Sequence, residues 1–478
     1  MIPLTLGELA AAVRGRLRAG ADPVTQVVGD VAIDSRRVGP GGLFAALAGE
    51  HTDGHDYAAA ALAAGAVAVL VGRPVGVRAV VVDDVVTALG LLARHQLARA
   101  RELRVVGVTG SSGKTSTKDL VAALLEACGP TVSAEGSFNN EIGLPLTALR
   151  IDGDSRYLVL EYSARGLGHI TYLADIARPQ VAVVLNVGVA HLGEFGSRAA
   201  IAQAKGELVE ALRPGGVAIL NAGDPLVAAM ATRTTSRVFT FGRAPDADLR
   251  AEHVRLDERG RPTFRVRGQR VSLRLVGEHH VDNALAALAV AEVVGIDLPD
   301  AVAVLADARP RSRWRMEVHE RPDGVTIIND AYNANPDSLG AALATLRHVA
   351  QGASGTRPRR SWAVLGEMRE LGAAAEDAHR AAGRLAVRLE VSRLISVGSG
   401  AHGIQRGAEE EQAMRAARDR SSRIAPQLDP PIAVGDVEEA LALLRRDLRG
   451  GDVVLVKASR SCRFERLAEA LLEDVVRA

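Results

Sequence analysis

The stretch Val105–Cys128, VVGVTGSSGKTSTKDLVAALLEAC, decides the fold. A short apolar run leads into a glycine- and serine-rich turn, and apolar residues then recur at helical spacing, so the order is strand, turn, helix. Leu120, Val121, Leu124, Leu125 and Cys128 fall on one face of that helix. Gly110 and Gly113, with Ser111, Ser112 and Ser116 beside them, let backbone N–H groups converge on an anion at the helix N-terminus. Lys114 adds a point charge for phosphate, and Thr115 offers a hydroxyl for Mg²⁺. The commoner phosphate loop needs a glycine at position 108, where Val108 stands, so this is a shortened TGxxGKT form. A plain Gly/Ser turn capping a helix is the competing reading. The strand before it and the helix after it favour a nucleotide-phosphate loop.

Outward from this stretch, short apolar runs alternate with helical patterns in both directions, which predicts an α/β protein. Residues 1–85 contain AVAVLV and AVVV, each of buried-strand length. A helical stretch, Val85 to Ala100, leads into a second block, 86–312, where VVGVT, YLVLE, VAVVLN and VAIL predict a doubly wound sheet. The third block, 313–478, carries VTIIN, WAVL, LISV and VVLV and predicts a further, smaller α/β domain. Open α/β sheets bind ligands beyond the carboxyl ends of their strands, and polar residues follow strand runs repeatedly here: Thr109, Glu161, Asn186, Asp330, Glu367 and Lys457.

Composition sets bounds. A chain of 478 residues exceeds one ordinary domain. Its 58 basic and 57 acidic residues leave a net charge of +1, which points to no nucleic-acid or membrane-surface partner. Two cysteines, Cys128 and Cys462, provide no disulfide framework and suit a reducing compartment, so a cytoplasmic location is expected. The start lacks a basic leader with an apolar core, and the run Ala58–Gly72 reads as a helix followed by a strand, too short for a membrane span.

Further segments accompany the phosphate loop in order: SFNNEIGLPLT, EYSARGLGHI, NVGVAHLGEFGS, QAKGELVEAL, GEHHVDNALAALA, RWRMEV, INDAYNANPDSL, VLGEMRELG and VLVKASRS. Together these resemble the muramyl ligase family, from about Leu4 to Leu471. The resemblance implies an N-terminal UDP-binding domain, a central ATPase domain and a C-terminal Rossmann-like domain. It also implies an ATP-dependent ligase of peptidoglycan precursor synthesis, with UDP-muramoyl-tripeptide and D-alanyl-D-alanine as substrates and an acyl-phosphate intermediate; a monomer is expected, although the sequence carries no signal of oligomeric state. The sequence departs from the family pattern at Tyr162 and Ser163, where Met and Gly are expected, at Trp314, where Gly often precedes the arginine, and at Ala458, where Gly stands in a KGSR-like segment.

Site residues follow from the same resemblance. Mg²⁺ falls to Thr115, Glu161, His191 and Lys205, the last matching a lysine that the family carbamylates; Lys114, His191 and Lys205 are the catalytic set. By themselves Glu161 reads as a solvated strand-end carboxylate, His191 as a surface or core histidine, and Lys205 as a helix-surface cation beside the face of Ile201, Ala204, Leu208 and Leu212. Asn283 is expected on the adenine, with His279 nearby; a helix cap is its alternative. Arg315 is expected on phosphate and Asp330 on ribose, with an interdomain ion pair as the alternative. In DSRRVGPGGLFAALAGEHTDGHDY, Ser35 and Arg36 are assigned to the uridine diphosphate; Asn139 and Asn140 go to the muramoyl part, and Asn333 and Asn335 to the acceptor dipeptide. Loop-forming roles compete for these.

Three other functions compete. The ligase that adds the third amino acid carries, in its diaminopimelate-adding form, a DNPR-like segment that is absent here. A folylpolyglutamate synthase-like enzyme has no need of the DSRR-containing block. A non-catalytic nucleotide-binding scaffold leaves Glu161, His191 and Lys205 without a purpose.

Overall fold

The computed structural model describes residues 1–190, 192–352, 358–418 and 429–474. Its frame is three sheets in sequence. Near the N-terminus a five-stranded sheet runs in the order Arg16–Arg18, Ala79–Val81, Ala68–Val71, Leu43–Ala45, Val31–Ala32, antiparallel only at its first edge. Ala58–Ala63 is a helix leading to the strand Ala68–Val71, so the longest apolar run divides as its glycine implies.

Seven parallel strands form the central sheet, in the order Leu249–Arg250, Arg237–Gly242, Val217–Asn221, Val181–Val184, Arg104–Thr109, Tyr157–Glu161, Thr131–Ser133. Val181–Val184 is buried throughout, as expected of a strand covered on both faces. The phosphate-loop strand Arg104–Thr109 lies between Tyr157–Glu161 and Val181–Val184. Thr131–Ser133 and Tyr157–Glu161, which follow it in the chain, lie on one side of it and Val181–Val184 on the other, so the loop after Thr109 opens at a topological switch point. The helix Lys114–Glu126 buries Leu120, Val121, Leu124 and Leu125 as its pattern predicts. Cys128 does not join that face: the helix has ended, and the side chain is exposed.

A three-stranded antiparallel sheet, Glu252–Leu256, Pro262–Val266 and Gln269–Ser272, follows the central sheet and was not foreseen from the alternation of strands and helices. Its inward residues Phe264, Val266 and Val271 share a core with the helix His280–Val294 and with the phosphate-loop helix. That helix is apolar nearly all round because it is covered nearly all round.

The last sheet has six strands in the order Glu317–Glu320, Thr326–Asn329, Val453–Lys457, Ser361–Leu365, Arg393–Val397, Ile432–Val434, parallel except at its first edge. The helix Val85–Arg99, capped by Asp84 accepting from the Thr87 N–H at 2.6 Å, joins the N-terminal unit to the central one. One apolar core runs from Leu4 and Leu43 through Leu89 and Leu92 to Leu160 and Leu208. No helix among the described residues is long and apolar enough to cross a membrane.

Trp314, at the entry to the third unit, has φ +60 and Met316 has φ +51, on either side of Arg315. A glycine adopts that backbone without steric cost, whereas an L side chain there costs about 1–2 kcal/mol. Trp314 is held by a hydrogen bond from its Nε1 to Glu469 at 3.2 Å and by Arg460 stacked at 4.3 Å.

Candidate active site

Strand ends of the central and last sheets face one another across a cavity of about 1060 Å³. Four of the six polar strand-end residues line it, namely Glu161, Asn186, Asp330 and Lys457. Thr109 is buried instead, donating to the Tyr162 carbonyl at 2.8 Å. Glu367 turns aside to pair with Arg369 at 3.0 Å.

The phosphate loop, Ser111 to Ser116, forms one wall. Gly113 has φ +84, and a Cβ there would lie 2.5 Å from Asn283 Oδ1, so both the turn and the close approach require glycine. Asn186 brackets the loop: its carbonyl accepts from Ser111 N at 3.1 Å, its Oδ1 accepts from Ser112 N at 2.9 Å, and its Nδ2 donates to the Ser112 carbonyl at 3.1 Å. Reading the sequence marked Asn186 only as a polar strand end and gave it no role; its place after VAVVL was the available signal.

Lys114 folds back over the loop and donates to the Gly110 carbonyl at 2.7 Å. Burial lowers its pKa, Glu161 opposes that shift, and the charge of Arg315 adds to it. Glu161 is fully buried; its Oε2 accepts from Asn139 Nδ2 at 3.2 Å, and among the described residues its Oε1 has no hydrogen-bond partner. A solvated strand-end carboxylate is therefore excluded. Thr115 is buried on the same wall.

Lys205 is 4% exposed on the helix Arg198–Glu210 and is not a surface cation. Among the described residues its ammonium has no hydrogen bond or ion pair. Burial, and then the neighbouring charge of Lys114, push its pKa well down. His191 lies outside the described residues. Among those described, no group of three or more His, Cys, Asp or Glu side chains is arranged to hold a metal.

Asn283 belongs to the first turn of the helix His280–Val294 but does not cap it. Its Oδ1 accepts from Thr117 Oγ1 at 3.2 Å, which ties this helix to the phosphate-loop helix at the cavity wall. His279 also lines the cavity; its Nδ1 is buried without a partner, and burial lowers its pKa to about 4.

The last sheet supplies the facing wall. Arg315 lies over the Tyr332 ring at 4.1 Å. It does not pair with Asp330: the Asp330 Oδ2 accepts from Lys457 Nζ at 2.5 Å, and its Oδ1 accepts from Met316 N at 3.2 Å. Lys457 also donates to the Asn333 carbonyl at 2.9 Å. Asn335 caps the helix Pro336–Gln351, accepting from Ser338 N at 2.9 Å, and meets Ser112 Oγ at 3.3 Å across the cavity. Asn140 lines the cavity too, though its Oδ1 accepts from Gly143 N at 2.9 Å and orders the turn.

Ser35 and Arg36 stand apart from this cavity. Arg36 is exposed and doubly bonded to Asp34, at 2.9 and 2.7 Å, within the turn after the strand Val31–Ala32. Its neighbour Arg37 reaches Glu135 of the central unit at 3.5 Å, so the turn faces that unit.

A phosphate loop at a switch point, a buried and half-satisfied carboxylate beside it, and cationic groups facing it from another sheet together define a nucleotide-dependent transferase or ligase site assembled between domains. The chain belongs to the Mur ligase family. Residues 28–105 match the Mur ligase family catalytic domain, 108–291 the Mur ligase middle domain, and 314–460 the Mur ligase glutamate ligase domain. A relative from Mycobacterium tuberculosis, named UDP-N-acetylmuramoyl-tripeptide--D-alanyl-D-alanine ligase, is 47% identical over 99% of this chain and 98% of its own length. The Escherichia coli protein of that name is 35% identical, with 99% of each chain covered. Among solved structures, MurF from Acinetobacter baumannii superposes with a TM-score of 0.84 at 30% identity, covering 98% of this chain and 99% of its own. MurF ligase from Thermotoga maritima in complex with ADP gives a TM-score of 0.77 at 29% identity, covering 94% and 99%.

Proposed function

We infer that this chain is an ATP-dependent amide ligase that joins D-alanyl-D-alanine to UDP-N-acetylmuramoyl-tripeptide in peptidoglycan precursor synthesis. The observation that carries this reading is the single cavity bounded by the phosphate loop on one side and the strand ends of the last sheet on the other. Such a cavity holds a nucleotide, a donor carboxylate and an acceptor amine at once. A cytoplasmic monomer divided at 1–85, 86–312 and 313–478 fits the reaction.

The γ-phosphoryl group of ATP passes to the tripeptide carboxylate, the dipeptide amine attacks the acyl carbon, and phosphate leaves. Backbone amides of Gly113 to Ser116 and the Lys114 ammonium hold the phosphates and neutralise charge as it shifts, while the Ser111 and Ser112 amides stay bound to Asn186. Arg315 brings a second cation from the facing sheet, so closure of the two units completes the site and keeps water from the acyl phosphate. Asn283 takes the adenine and Asp330 the ribose, the latter held by Lys457. Ser35 and Arg36 take the uridine diphosphate, Asn139 and Asn140 the muramoyl group, and Asn333 and Asn335 the dipeptide.

Glu161 fits a cation, because a buried carboxylate oxygen without a partner is costly unless something positive meets it. Mg²⁺ would be held by Thr115 and Glu161, with His191 and a carbamylated Lys205 completing the set. Bound there, the ion supplies charge neutralisation at the phosphoryl oxygens. Unmodified, the Lys205 ammonium would repel both Lys114 and a cation; a carbamate reverses its charge. Glu161→Gln is expected to raise the Mg²⁺ concentration for half-maximal rate by about 10-fold or more. An unchanged Mg²⁺ requirement in that folded variant removes Glu161 from the set.

Release of ADP tests the reaction as a whole. It is expected with UDP-muramoyl-tripeptide and D-alanyl-D-alanine together, and to fall to background when the dipeptide precursor replaces the tripeptide. Equal turnover of the precursor overturns the assignment in favour of the preceding ligase. The first unit has its own test: Arg36→Ala is expected to raise KM for the UDP-linked substrate while leaving KM for ATP within about twofold. Equal weakening of both assigns Arg36 to the fold.

A further inference from the structure

The acceptor in this reaction ends in a carboxylate, and the last sheet carries two cations that the chemistry described so far leaves unused. Arg369 and Arg460 line the cavity from loops that follow adjacent parallel strands, Ser361–Leu365 and Val453–Lys457. These loops are joined: Gly366 N donates to the Lys457 carbonyl at 3.0 Å, Ser459 N to the Glu367 carbonyl at 3.0 Å, and Arg369 N to Ser459 Oγ at 2.9 Å. Ser459 is buried, so the junction is a fixed part of the wall.

Each guanidinium is oriented from one edge. Arg369 Nε donates to Glu367 at 3.0 Å; Arg460 Nη1 meets Glu465 at 2.6 Å, and its Cζ lies over the Trp314 ring, 4.3 Å from the centroid. One carboxylate contact leaves most of an arginine's five donors available, and the side chains remain 56% and 47% exposed. The other cations on this wall are differently placed. Lys457 is buried against Asp330, while Arg315 acts on Lys114 at the phosphate end. Arg165 and Arg198 line the opposite, central wall, on the side of the phosphate loop and donor carboxylate.

We propose that Arg369 and Arg460 form a two-arginine clamp for the terminal carboxylate of the acceptor D-dipeptide, and thereby select acceptors that carry that charge. Planar guanidinium groups suit a carboxylate geometrically as well as electrostatically. The clamp rests on the ligase reading above, and it fixes one end of the acceptor so that the amine at the other is presented to the acyl carbon.

The test compares D-alanyl-D-alanine with D-alanyl-D-alaninamide, which lacks the terminal charge, in the full-length enzyme and in Arg369→Gln, Arg460→Gln and the double variant. The unsubstituted enzyme is expected to need about 100-fold more amide than acid for equal rate, as for a charge partner removed from a site built for it. Each single variant is expected to raise KM for the acid about 10-fold or more, and the double variant to use acid and amide within about threefold of one another, with KM for ATP and UDP-muramoyl-tripeptide little changed. Arg460→Lys, which keeps the charge and loses the planar fork, is expected to recover part of the preference and guards against a folding defect in Arg460→Gln. Equal use of amide and acid by the unsubstituted enzyme overturns the clamp, as does a rise in KM for the UDP-tripeptide matching that for the dipeptide. Failure of the ligase reading looks different: no ADP release from the unsubstituted enzyme with tripeptide and dipeptide together.

Discussion

Lys114→Ala is expected to abolish ligation, with a loss on the order of 1000-fold or more in kcat, while the chain stays folded. Lys114 lies at the start of the helix Lys114–Glu126, and the residues that anchor that helix in the core, Leu120, Val121, Leu124 and Leu125, are untouched by the change. Its ammonium makes one described hydrogen bond, to the Gly110 carbonyl, so removal leaves the loop backbone with its other ties through Asn186. Alanine is also a strong helix former, and removing a buried cation relieves a desolvation cost. Stability is therefore expected to hold or rise slightly in thermal unfolding. The loss belongs to the transition state, where charge on the transferring phosphoryl group goes unneutralised. Turnover near that of the unsubstituted enzyme in a folded Lys114→Ala sample would falsify the phosphate-loop assignment.

The second large effect concerns Lys205. A buried ammonium without a partner among the described residues, close enough to Lys114 to feel its charge, is an unfavourable arrangement. The neutral amine is favoured there, and the neutral amine is the form that combines with CO₂ to give a carbamate. Activity is accordingly expected to fall when dissolved CO₂ is removed and to recover when bicarbonate is restored. Lys205→Ala is expected to lose roughly 100-fold or more in rate, with partial rescue by a small added carboxylate that occupies the vacated position. Lys205→Arg is expected to be equally impaired and not rescued, because it fills the space with a permanent positive charge. Full activity in Lys205→Arg, together with an unmodified lysine in well-resolved density, returns Lys205 to a structural role.

How much of this was legible in the sequence depends on the range over which each feature is specified. The phosphate loop is local: Gly113 needs its φ of +84 and Lys114 follows it in the chain, so the motif and its geometry coincide. Parallel buried strands are local as well, since VAVV and VVLV are covered on both faces and carry no alternation. The antiparallel strands Glu252–Leu256, Pro262–Val266 and Gln269–Ser272 are short, half exposed and interrupted by arginines, and so produced no comparable signal.

Side-chain partnership was the part least accessible in one dimension. Asp330 and Lys457 are 127 positions apart and meet because their strands are neighbours in the last sheet. The same pairing removes the Arg315–Asp330 ion pair that stood as the alternative to their contacts with ATP. Asn335 was assigned to the acceptor from its motif, yet its first task is to cap a helix. Lys205 looked like a surface residue because helical periodicity places it beside, rather than within, the apolar stripe; packing around the helix Arg198–Glu210 then covers that side too.

The sequence by itself therefore determined the α/β class, the order of the three units, the strand–turn–helix around Gly113 and a set of polar strand ends, because each is set by spacing within one strand, turn or helix. Only the tertiary structure decided which of those residues share a cavity, that Glu161 keeps an unpartnered oxygen there, that Lys457 neutralises Asp330, and that Arg369 and Arg460 emerge from adjoining loops. These depend on which strands are neighbours and on what is excluded from water. Both are properties of packing between segments far apart in the chain, for which local spacing carries no record.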